Sequence, residues 1–333
     1  MREVADLARV SVGTVSNVVN SPDRVLPATR ERVEAAIEEL GWVPNRQAQQ
    51  LRAGRGRTVG LAVMDVTNPF FADVLRGAQN ELGQQGYSAT IGDADNDPER
   101  QARILRGFLA QRVRGVILGP IGGAPAEVDT LKRADIATVL VDRAAHDTTC
   151  CTVGVDDVAG GRIAVEHLLT QGHKNLAFVG GPASLDQIRD RLEGAGQAAA
   201  AAGAHLLSIP VPHLDFAAGR RAAEQFASLP LEQRPTGIFC ANDLTAIGLL
   251  HGLLQQGLRV PQDVAIVGYD NIDFAEFAAV PLTSVAQPRR ELGQTAATLL
   301  LAELVDQDAN QPHVHRSQQF TPTLIARAST TGS

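Results

Sequence analysis

The chain has 333 residues, of which 44% are hydrophobic and 20% charged, which is ordinary for a globular protein of two or more domains. No stretch approaches the roughly 18 consecutive apolar residues of a membrane span, and the N-terminal segment lacks the apolar core of a signal peptide. We therefore expect a cytoplasmic protein. The net charge of −7 excludes a protein that coats nucleic acid over its whole surface.

The charge is distributed unevenly along the chain. Residues 1–57 carry nine arginines, no lysine and seven acidic residues, a net charge of +2, whereas the remainder of the chain carries −9. Within residues 44–57 there are four arginines and no acidic residue. The beginning of the chain is therefore the part that could approach phosphate groups.

Three short helices are predicted at the beginning of the chain. The first is followed by a turn at Arg9, and Ser11 is placed to cap the second. The third begins at Pro27 and ends before Gly41. The second helix carries small and hydroxyl residues, which suit a DNA major groove about 12 Å wide better than a core. The layout is typical of a helix-turn-helix, although a three-helix packing unit without a DNA role is the alternative.

After residue 57, apolar runs of strand length alternate with helical patterns in two successive sets. This alternation predicts parallel βαβ units arranged as two doubly wound lobes. Ligands of such sheets bind beyond the carboxyl ends of the strands. The candidate binding residues are therefore the polar residues that directly follow the predicted strands: Asp65, Asp142, Asn242, Asp243 and Asp270.

Several specific motifs are spread along nearly the whole chain, among them "EVADLARVSVGTVSNVVN", "IFCANDLTAIG" and "VAIVGYDN". Together they resemble the lactose-repressor/galactose-repressor family of bacterial transcription regulators. The resemblance implies a small all-α helix-turn-helix head and an α/β body, similar to periplasmic binding proteins, with two doubly wound parallel-sheet lobes. The implied bounds are 1–43 for the head, 44–57 for the hinge helix, 58–156 plus 287–316 for the first lobe, 157–286 plus 317–328 for the second lobe, and 329–333 for a tail.

The resemblance also implies which residues of the head contact DNA. Base-reading positions fall on Val12, Gly13 and Asn17, and Asn17 stands where the family often has an arginine. Two further departures are Arg9, where the family usually has glycine in the turn, and Leu26, where it usually has a serine cap. The family has extra residues before "EVA", so an upstream start stays open. Phosphate, base-edge or DNA-backbone contacts are expected from Ser11, Thr14, Ser16 and Asn20.

The family's hinge forms a helix when two subunits lie side by side on DNA. Leu51 matches a leucine that opens a base step from the minor groove, and Ala48 matches the small residue beside it. The polar companions of these two residues are Asn45, Arg46, Gln49 and Arg52. An ordinary interface leucine is the alternative interpretation of Leu51.

A small-molecule effector site is implied between the lobes. Polyols are recognised by carboxylate, guanidinium and amide groups beside an aromatic face. Arg189, Asp270, Asn242 and Phe216 match such residues in the family, whereas Arg191 is expected to point elsewhere on its helix. The remaining candidates are Asp65, Asn68, Phe70 and Phe71 in the first lobe, with Asp142 and Gln287 as secondary ones.

We therefore expect a transcription regulator, by family default a repressor, that binds a palindromic operator as a homodimer and responds allosterically to a small molecule, most naturally a sugar. A purine corepressor is the alternative ligand. A sugar-binding protein without DNA binding and a doubly wound enzyme are rival classes. The chain has no G-x-G-x-x-G after its first predicted strand and no phosphate-binding loop motif, so neither catalysis nor a cofactor is expected.

The chain has three cysteines, Cys150, Cys151 and Cys240. The adjacent pair has no second cysteine pair at metal-ligand spacing. We therefore expect reduced thiols and no metal site.

Overall fold

The computed structural model describes residues 1–20, 22–42, 56–122, 126–143 and 149–331, except for the side chain of Asn20. The chain forms two compact units, Met1–Gly56 and Arg57–Ser333. The division falls at the end of the Gly- and Arg-rich segment, where the charge balance of the sequence changes sign. Within the described residues, no helix is both long and apolar enough to cross a bilayer.

In the residues that the structure describes, the first unit contains three helices around a small core. They are α1 (Arg2–Ala8), α2 (Val12–Asn20) and α3 (Pro27–Glu39), with a 3₁₀ turn at Pro22–Arg24. Proline at the first position of α3 suits a helix start, because that position needs no N–H bond. The buried core consists of Val4, Ala5, Ala8, Val15, Val18, Val33 and Ala36. A core of this size makes turn and capping residues significant for stability.

The first lobe of the second unit is built from alternating strands and helices. These are β1 (Thr58–Val63), α4 (Pro69–Gln84), β2 (Ser88–Asp93), α5 (Pro98–Gln111), β3 (Gly115–Leu118), α6 (Ala126–Arg133), β4 (Ala137–Val141) and β5 (Cys151–Val155). The inner strands β3, β4 and β5 are buried along their whole length, because helices cover both faces of the sheet.

The second lobe repeats this scheme. Its elements are α7 (Asp157–Thr170), β6 (Asn175–Gly180), α8 (Asp186–Ala201), β7 (His205–Pro210), α9 (Phe216–Ser228), β8 (Gly237–Cys240), α10 (Asp243–Gln255), β9 (Ala265–Asp270), α11 (Asp273–Glu276) and β10 (Thr283–Ala286), with a 3₁₀ turn at Leu231–Gln233.

The chain then returns to the first lobe and crosses once more. Helix α12 (Arg289–Asp308) packs on α4 and the first sheet, β11 (Ser317–Phe320) joins that sheet, and β12 (Thr323–Ile325) and α13 (Ala328–Thr331) belong to the second lobe. The strand order is β11-β5-β4-β3-β1-β2 in one sheet and β12-β10-β9-β8-β6-β7 in the other. Among the described strands, all pairings are parallel except that of β12 with β10. The predicted two doubly wound lobes are confirmed.

Two of the sequence-based bounds are corrected by strand pairing and burial. The family resemblance predicts residues 317–328 in the second lobe, but β11 pairs with β5 in the first sheet, with Ser317 opposite Thr152. The polar sequence of β11 suits an exposed edge strand and gave no apolar pattern to place it. The predicted tail begins with Ser329, which is buried and donates to the carbonyl oxygen of Ile266 at 2.6 Å.

Candidate functional site

Helix α2 begins with the cap that its sequence predicts. The Ser11 hydroxyl accepts a hydrogen bond from the Thr14 backbone N–H at 3.0 Å, and the two hydroxyl oxygens lie 2.9 Å apart. This bond satisfies one of the backbone donors left open at a helix start. The Ser11 and Thr14 side chains therefore hold the beginning of α2 in place, in addition to any contact they make with a ligand.

Helix α2 has one side buried in the head core and one side exposed, as a helix that binds in a DNA groove requires. Val15 and Val18 are buried in the head core, whereas Val12, Gly13 and Asn17 are exposed. The three predicted base-reading residues thus share the outer surface of the helix. Thr14 and Ser16 are half-buried beside them. The side chain of Asn20 and the hinge candidates lie outside the described residues; these hinge candidates are Asn45, Arg46, Ala48, Gln49, Leu51 and Arg52.

The two departures from the family pattern in the head have structural consequences. Arg9 ends α1 with φ 53° and ψ 50°, the left-handed conformation that favours glycine. Its backbone N–H bonds back to Asp6 and the N–H of Val10 to Ala5, so the geometry closes the helix. Leu26 precedes α3 without any side-chain cap bond and is 76% exposed. Both positions are occupied by residues that fit them poorly.

A cleft of about 460 Å³, counting the part open to solvent, lies between the two lobes of the body. Both lobes line it at the carboxyl ends of their strands, as expected for this topology. Sequence-predicted residues in the lining are Asp65, Asn68, Phe70, Phe71, Asp142, Asn242 and Asp270. The lining also contains residues that the sequence prediction did not include: Met64, Asn96, Leu185, Gln187, Ile188, Arg191 and Leu214.

Arg191 is the cationic residue of this lining and is only 3% exposed. Its Nε donates to Asp157 Oδ1 at 2.7 Å, and its Nη1 donates to the carbonyl oxygen of Ala241 at 2.7 Å. The guanidinium lies over the ring of Tyr269, 3.7 Å from the ring centroid, and the Tyr269 hydroxyl also donates to Asp157. Burial alone would lower the pKa of Arg191, but the Asp157 carboxylate raises it, so the guanidinium stays charged.

The structure places the two neighbouring arginines differently from what the sequence predicts. Arg189, expected in the site, is an exposed residue that pairs with Asp186 at 2.8 Å and is not part of the cleft lining, whereas Arg191 lines it. Two residues apart on a helix, the side chains point to nearly opposite sides. The signal that identifies Arg191 is its position on the buried stripe of α8, which includes Ile188 and Ala195.

The two lining carboxylates that are most deeply buried, Asp142 and Asp270, share an unusual backbone. Their φ values are 60° and 101°, a region of backbone conformation that non-glycine residues adopt rarely. Burial, together with the nearby charge of Asp157, raises the pKa of Asp142 to about 8. Burial also raises the pKa of Asp270 to about 7, against the opposing influence of Arg191. The cleft therefore holds two carboxyl groups that titrate near neutral pH.

Amide side chains hold both carboxyl groups. Gln187 Nε2 donates to Asp142 Oδ2 at 3.1 Å, and because Asp142 ends a first-lobe strand and Gln187 lies on α8, this bond joins the lobes. Gln287, a secondary candidate, is buried and donates to Asp270 Oδ1 at 2.7 Å. It is not in the cleft lining itself, and its Oε1 has no hydrogen-bond partner among the described residues. Gln287 therefore acts on the site by orienting Asp270.

Three of the candidates accept hydrogen bonds from nearby backbone groups, and two of these, Asn242 and Asn68, cap the starts of helices. Asn242 accepts from Thr245 N at the start of α10 and donates to the carbonyl oxygen of Leu214. Asn68 caps α4 through Phe70 N, and Asp65 accepts from both the backbone and hydroxyl of Thr67. These bonds fix the orientation of polar groups at the cleft wall.

Phe216 differs from the other predicted residues. It begins α9 with 45% of its surface exposed and is not in the lining, although Leu214, two residues earlier, is. Asp243, noted as a strand-end residue, lies outside the lining as well. It is fully buried and accepts from Ser284 Oγ and from the backbone N–H of Ile272, so it supports the loop that follows Asp270.

Comparison with known proteins gives two family matches. Residues 1–45 match the bacterial regulatory proteins of the lacI family, and residues 165–330 match the periplasmic binding protein-like domain. Among curated relatives, the chain is 33% identical to the HTH-type transcriptional repressor PurR of Aliivibrio fischeri, over 99% of this chain and 97% of the relative. It is 34% identical to the ribose operon repressor of Escherichia coli, over 99% of each chain.

Solved structures show the same relationship. A Lac repressor bound to ONPG in the repressed state superposes with a TM-score of 0.84 at 29% identity, covering 99% of this chain and 98% of that one. A LacI family regulator from Enterococcus faecium with bound ribose superposes with a TM-score of 0.72 at 30% identity, covering 82% of this chain and 98% of that one. The two kinds of domain inferred from the sequence thus both occur in solved structures.

Proposed function

Because the chain belongs to the lacI family of bacterial regulatory proteins, we propose that it represses transcription by binding a palindromic operator as a homodimer under the control of a small-molecule effector. One recognition helix covers only a half-site, so operator binding requires two heads. The effector acts by binding one arrangement of the lobes more tightly than the other. The protein is proposed to work in the cytoplasm, on chromosomal DNA, without catalysis or a cofactor.

The observation that carries the DNA-binding role is the surface of α2. Its exposed residues are small, uncharged or amide-bearing, and the helix is anchored from behind by Val15 and Val18. Asn17 can read adenine through a bidentate amide contact, whereas an arginine in its place would read guanine. We therefore propose that the operator differs from the family's usual sequence at the base pair that Asn17 reads.

The test is equilibrium binding of the full-length chain to operator half-site pairs selected from a random palindromic library. Asn17→Ala is expected to cost about 1–3 kcal/mol of affinity for the selected sequence while leaving the salt dependence of binding unchanged. Gln225→Ala, an exposed helical amide in the second lobe, is the matched control. Failure to select any preferred sequence at low salt would contradict the proposal.

For the effector, we propose a neutral sugar, a pentose or hexose. Among the described residues, the cleft wall carries the carboxyl side chains of Asp65, Asp142 and Asp270, and its lining arginine, Arg191, is already paired with Asp157. Such a surface offers hydrogen-bond partners to the hydroxyl groups of a sugar, but among the described residues it offers a phosphate or carboxylate group no cation that is not already paired. Phe70 and Phe71 supply apolar surface for the C–H face of a ring.

The sugar proposal is tested by thermal-shift screening and titration calorimetry of the full-length chain with ribose, hexoses, hypoxanthine and ribose 5-phosphate. A neutral sugar is expected to raise the melting temperature and to change operator affinity, and ribose 5-phosphate is expected to do neither. A response to hypoxanthine without any response to sugars would favour the purine alternative. Binding of the phosphate ester in preference to the free sugar would contradict the charge argument.

A further inference from the structure

A group of metal-ligating side chains lies in the first lobe, on residues that the effector cleft does not use. Cys151 on β5, Glu303 on α12, and His313 and His315 in the loop before β11 each direct one ligand atom into the same space. These four atoms, in what we term the Cys151 cluster, all lie within 4.8 Å of one another. Cys151 is far in sequence from the other three residues, so the cluster brings together three separate parts of the lobe.

Three of the six separations between the ligand atoms lie close to those of a tetrahedral metal site, and all six lie within 4.8 Å. Cys151 Sγ lies 3.3 Å from His313 Nε2 and 3.9 Å from His315 Nδ1, and His315 Nδ1 lies 4.0 Å from Glu303 Oε2. With Zn–S near 2.3 Å and Zn–N and Zn–O near 2.0–2.2 Å, ligand atoms on a tetrahedron lie roughly 3.4–3.6 Å apart. The same Nδ1 of His315 approaches both the thiol and the carboxylate, as shared coordination requires.

The burial of the cluster points to a ligand. Glu303 is only 8% exposed, and its Oε2, which lies 4.0 Å from His315 Nδ1, is buried without a hydrogen-bond partner among the described residues. A buried carboxylate oxygen without a partner is costly. Cys151 is completely buried. A divalent cation would satisfy that oxygen, and its charge would be balanced by the carboxylate and the thiolate.

The groups around the cluster are those that support metal ligands in proteins. Asp306 Oδ2 lies 2.7 Å from His313 Nδ1, so it accepts that proton and leaves Nε2 as the ligand atom facing Cys151. This carboxylate–histidine–metal arrangement is common in zinc sites. The backbone N–H of Arg316 donates to Cys151 Sγ at 3.3 Å, which stabilises a thiolate. Both contacts therefore favour the form of the side chain that binds a metal: a free Nε2 on His313 and a thiolate on Cys151.

We propose that the Cys151 cluster binds one divalent transition-metal ion of the zinc class, with the Cys151 thiolate, the two imidazoles and the Glu303 carboxylate as ligands. A thiolate with two imidazoles favours zinc, cobalt or copper over magnesium or calcium. On binding, the Cys151 thiol releases its proton to the buffer and forms the metal–sulfur bond. The ion would link β5, α12 and the segment that leads into β11. This proposal replaces the sequence-based expectation of no metal site.

The experiment uses the reduced, chelator-treated, full-length chain and Zn²⁺ alone, measured by competition with a chromophoric chelator. One ion per chain is expected, with a rise in melting temperature. Co²⁺ is the second probe: it should give a thiolate charge-transfer band and the intense visible absorption of a tetrahedral site. Neither measurement involves DNA or effector, so its outcome is independent of the proposed repressor function.

Variants identify the ligands. Cys151→Ser and His313→Gln are each expected to weaken Zn²⁺ binding by more than about 100-fold, and Asp306→Asn by about 10–100-fold. Cys150→Ser is the matched control, because Cys150 packs among Leu118 and Leu131 in a different part of the core. His251→Gln, at an exposed position in the second lobe, controls for surface histidines.

Melting curves in chelator show whether each variant is folded, and the cobalt spectrum of the unsubstituted chain does not depend on any variant. Wild-type zinc affinity in both Cys151→Ser and His313→Gln would overturn the proposal. So would a cobalt complex without the sulfur charge-transfer band, or the absence of stoichiometric binding. In any of those cases the cluster is only a hydrogen-bonded packing contact.

Discussion

The head and the effector cleft present their functional side chains in opposite ways. In the head, Val12, Gly13 and Asn17 stand exposed on a helix whose apolar side does the packing. In the cleft, Arg191 and Asp270 are almost completely buried and bonded to the surrounding structure. Substitutions of Val12 and Asn17 can therefore change DNA binding with little effect on stability. Substitutions in the cleft change both binding and the free energy of unfolding.

The largest effect is expected at Arg191. Arg191→Met leaves the buried Asp157 carboxylate without its cationic partner, which costs about 3–5 kcal/mol of stability, and effector binding should be lost. Urea unfolding followed by far-ultraviolet circular dichroism measures the first effect, and calorimetry with the effector measures the second. Arg191→Lys keeps the charge but lacks the planar donor set, so it should restore part of the stability but not the binding.

The matched control is Arg189→Met on the same helix. Arg189 is largely exposed and pairs with Asp186 at the surface, so its loss should change stability by less than about 1 kcal/mol. Effector affinity should stay within a few-fold of wild type. If Arg189→Met and Arg191→Met lost equal amounts of stability and effector affinity, the assignment of Arg191 rather than Arg189 to the cleft would be wrong.

A pH dependence of body stability is the second expected effect. The pKa of Asp142 is raised to about 8 and those of Asp270 and Asp243 to about 7, mainly by burial, from 3.8. The folded state therefore binds more protons than the unfolded state between about pH 4 and 8, and the free energy of unfolding falls as the pH rises through this interval. Each group contributes at least about 1 kcal/mol.

Urea unfolding at pH 5.5, 7 and 8.5 measures this slope. Asp142→Asn keeps an acceptor for Gln187 but cannot ionise, so it should flatten the slope and raise stability at pH 8.5 relative to wild type. Asp263→Asn is the control, because Asp263 is exposed and paired with Arg259, which lowers its pKa. A slope unaltered by Asp142→Asn would remove Asp142 as a source of the pH dependence.

The sequence predicted the architecture better than it predicted side-chain positions. Alternating apolar strands and helices were sufficient to predict the two lobes, and Ser11 was sufficient to predict the start of α2. Arg191 lines the cleft in place of the predicted Arg189 for a local reason, because the rotation of α8 about its axis decides which side chains face the cleft. The buried spacing of Ile188, Arg191 and Ala195 contained that information.

Other features could not be read from local patterns. The pairing of β11 with β5 brings residue 316 beside Cys151, and this pairing depends on a register between segments more than 160 residues apart. The Cys151 cluster follows from that register, so a search for closely spaced ligands could not find it. The polar β11 likewise carries no periodic signal that assigns it to the first sheet.

In the head, the predictions concern stability rather than binding. Arg9→Gly should stabilise the head by about 1 kcal/mol, because Arg9 has φ 53° and glycine adopts this conformation without the steric cost. Trp42 is the one tryptophan of the chain and packs partly against the head core, so its fluorescence reports head unfolding. Arg32→Gly, at an exposed position within α3, should instead destabilise by about 1 kcal/mol. The same sign in both variants would contradict the conformational argument.

The smallest effect is expected at Leu26. Leu26→Ser supplies a hydroxyl at the start of α3, where the structure has no side-chain cap, and should stabilise the head by about 0.5–1 kcal/mol in the Trp42 unfolding curve. Leu26→Ala removes the same exposed apolar surface without adding an acceptor, so it separates capping from the loss of that surface. If the alanine and serine variants are equally stable, the missing cap has no measurable cost. The head would then be limited by its small core and by Arg9, which the Arg9→Gly variant measures independently.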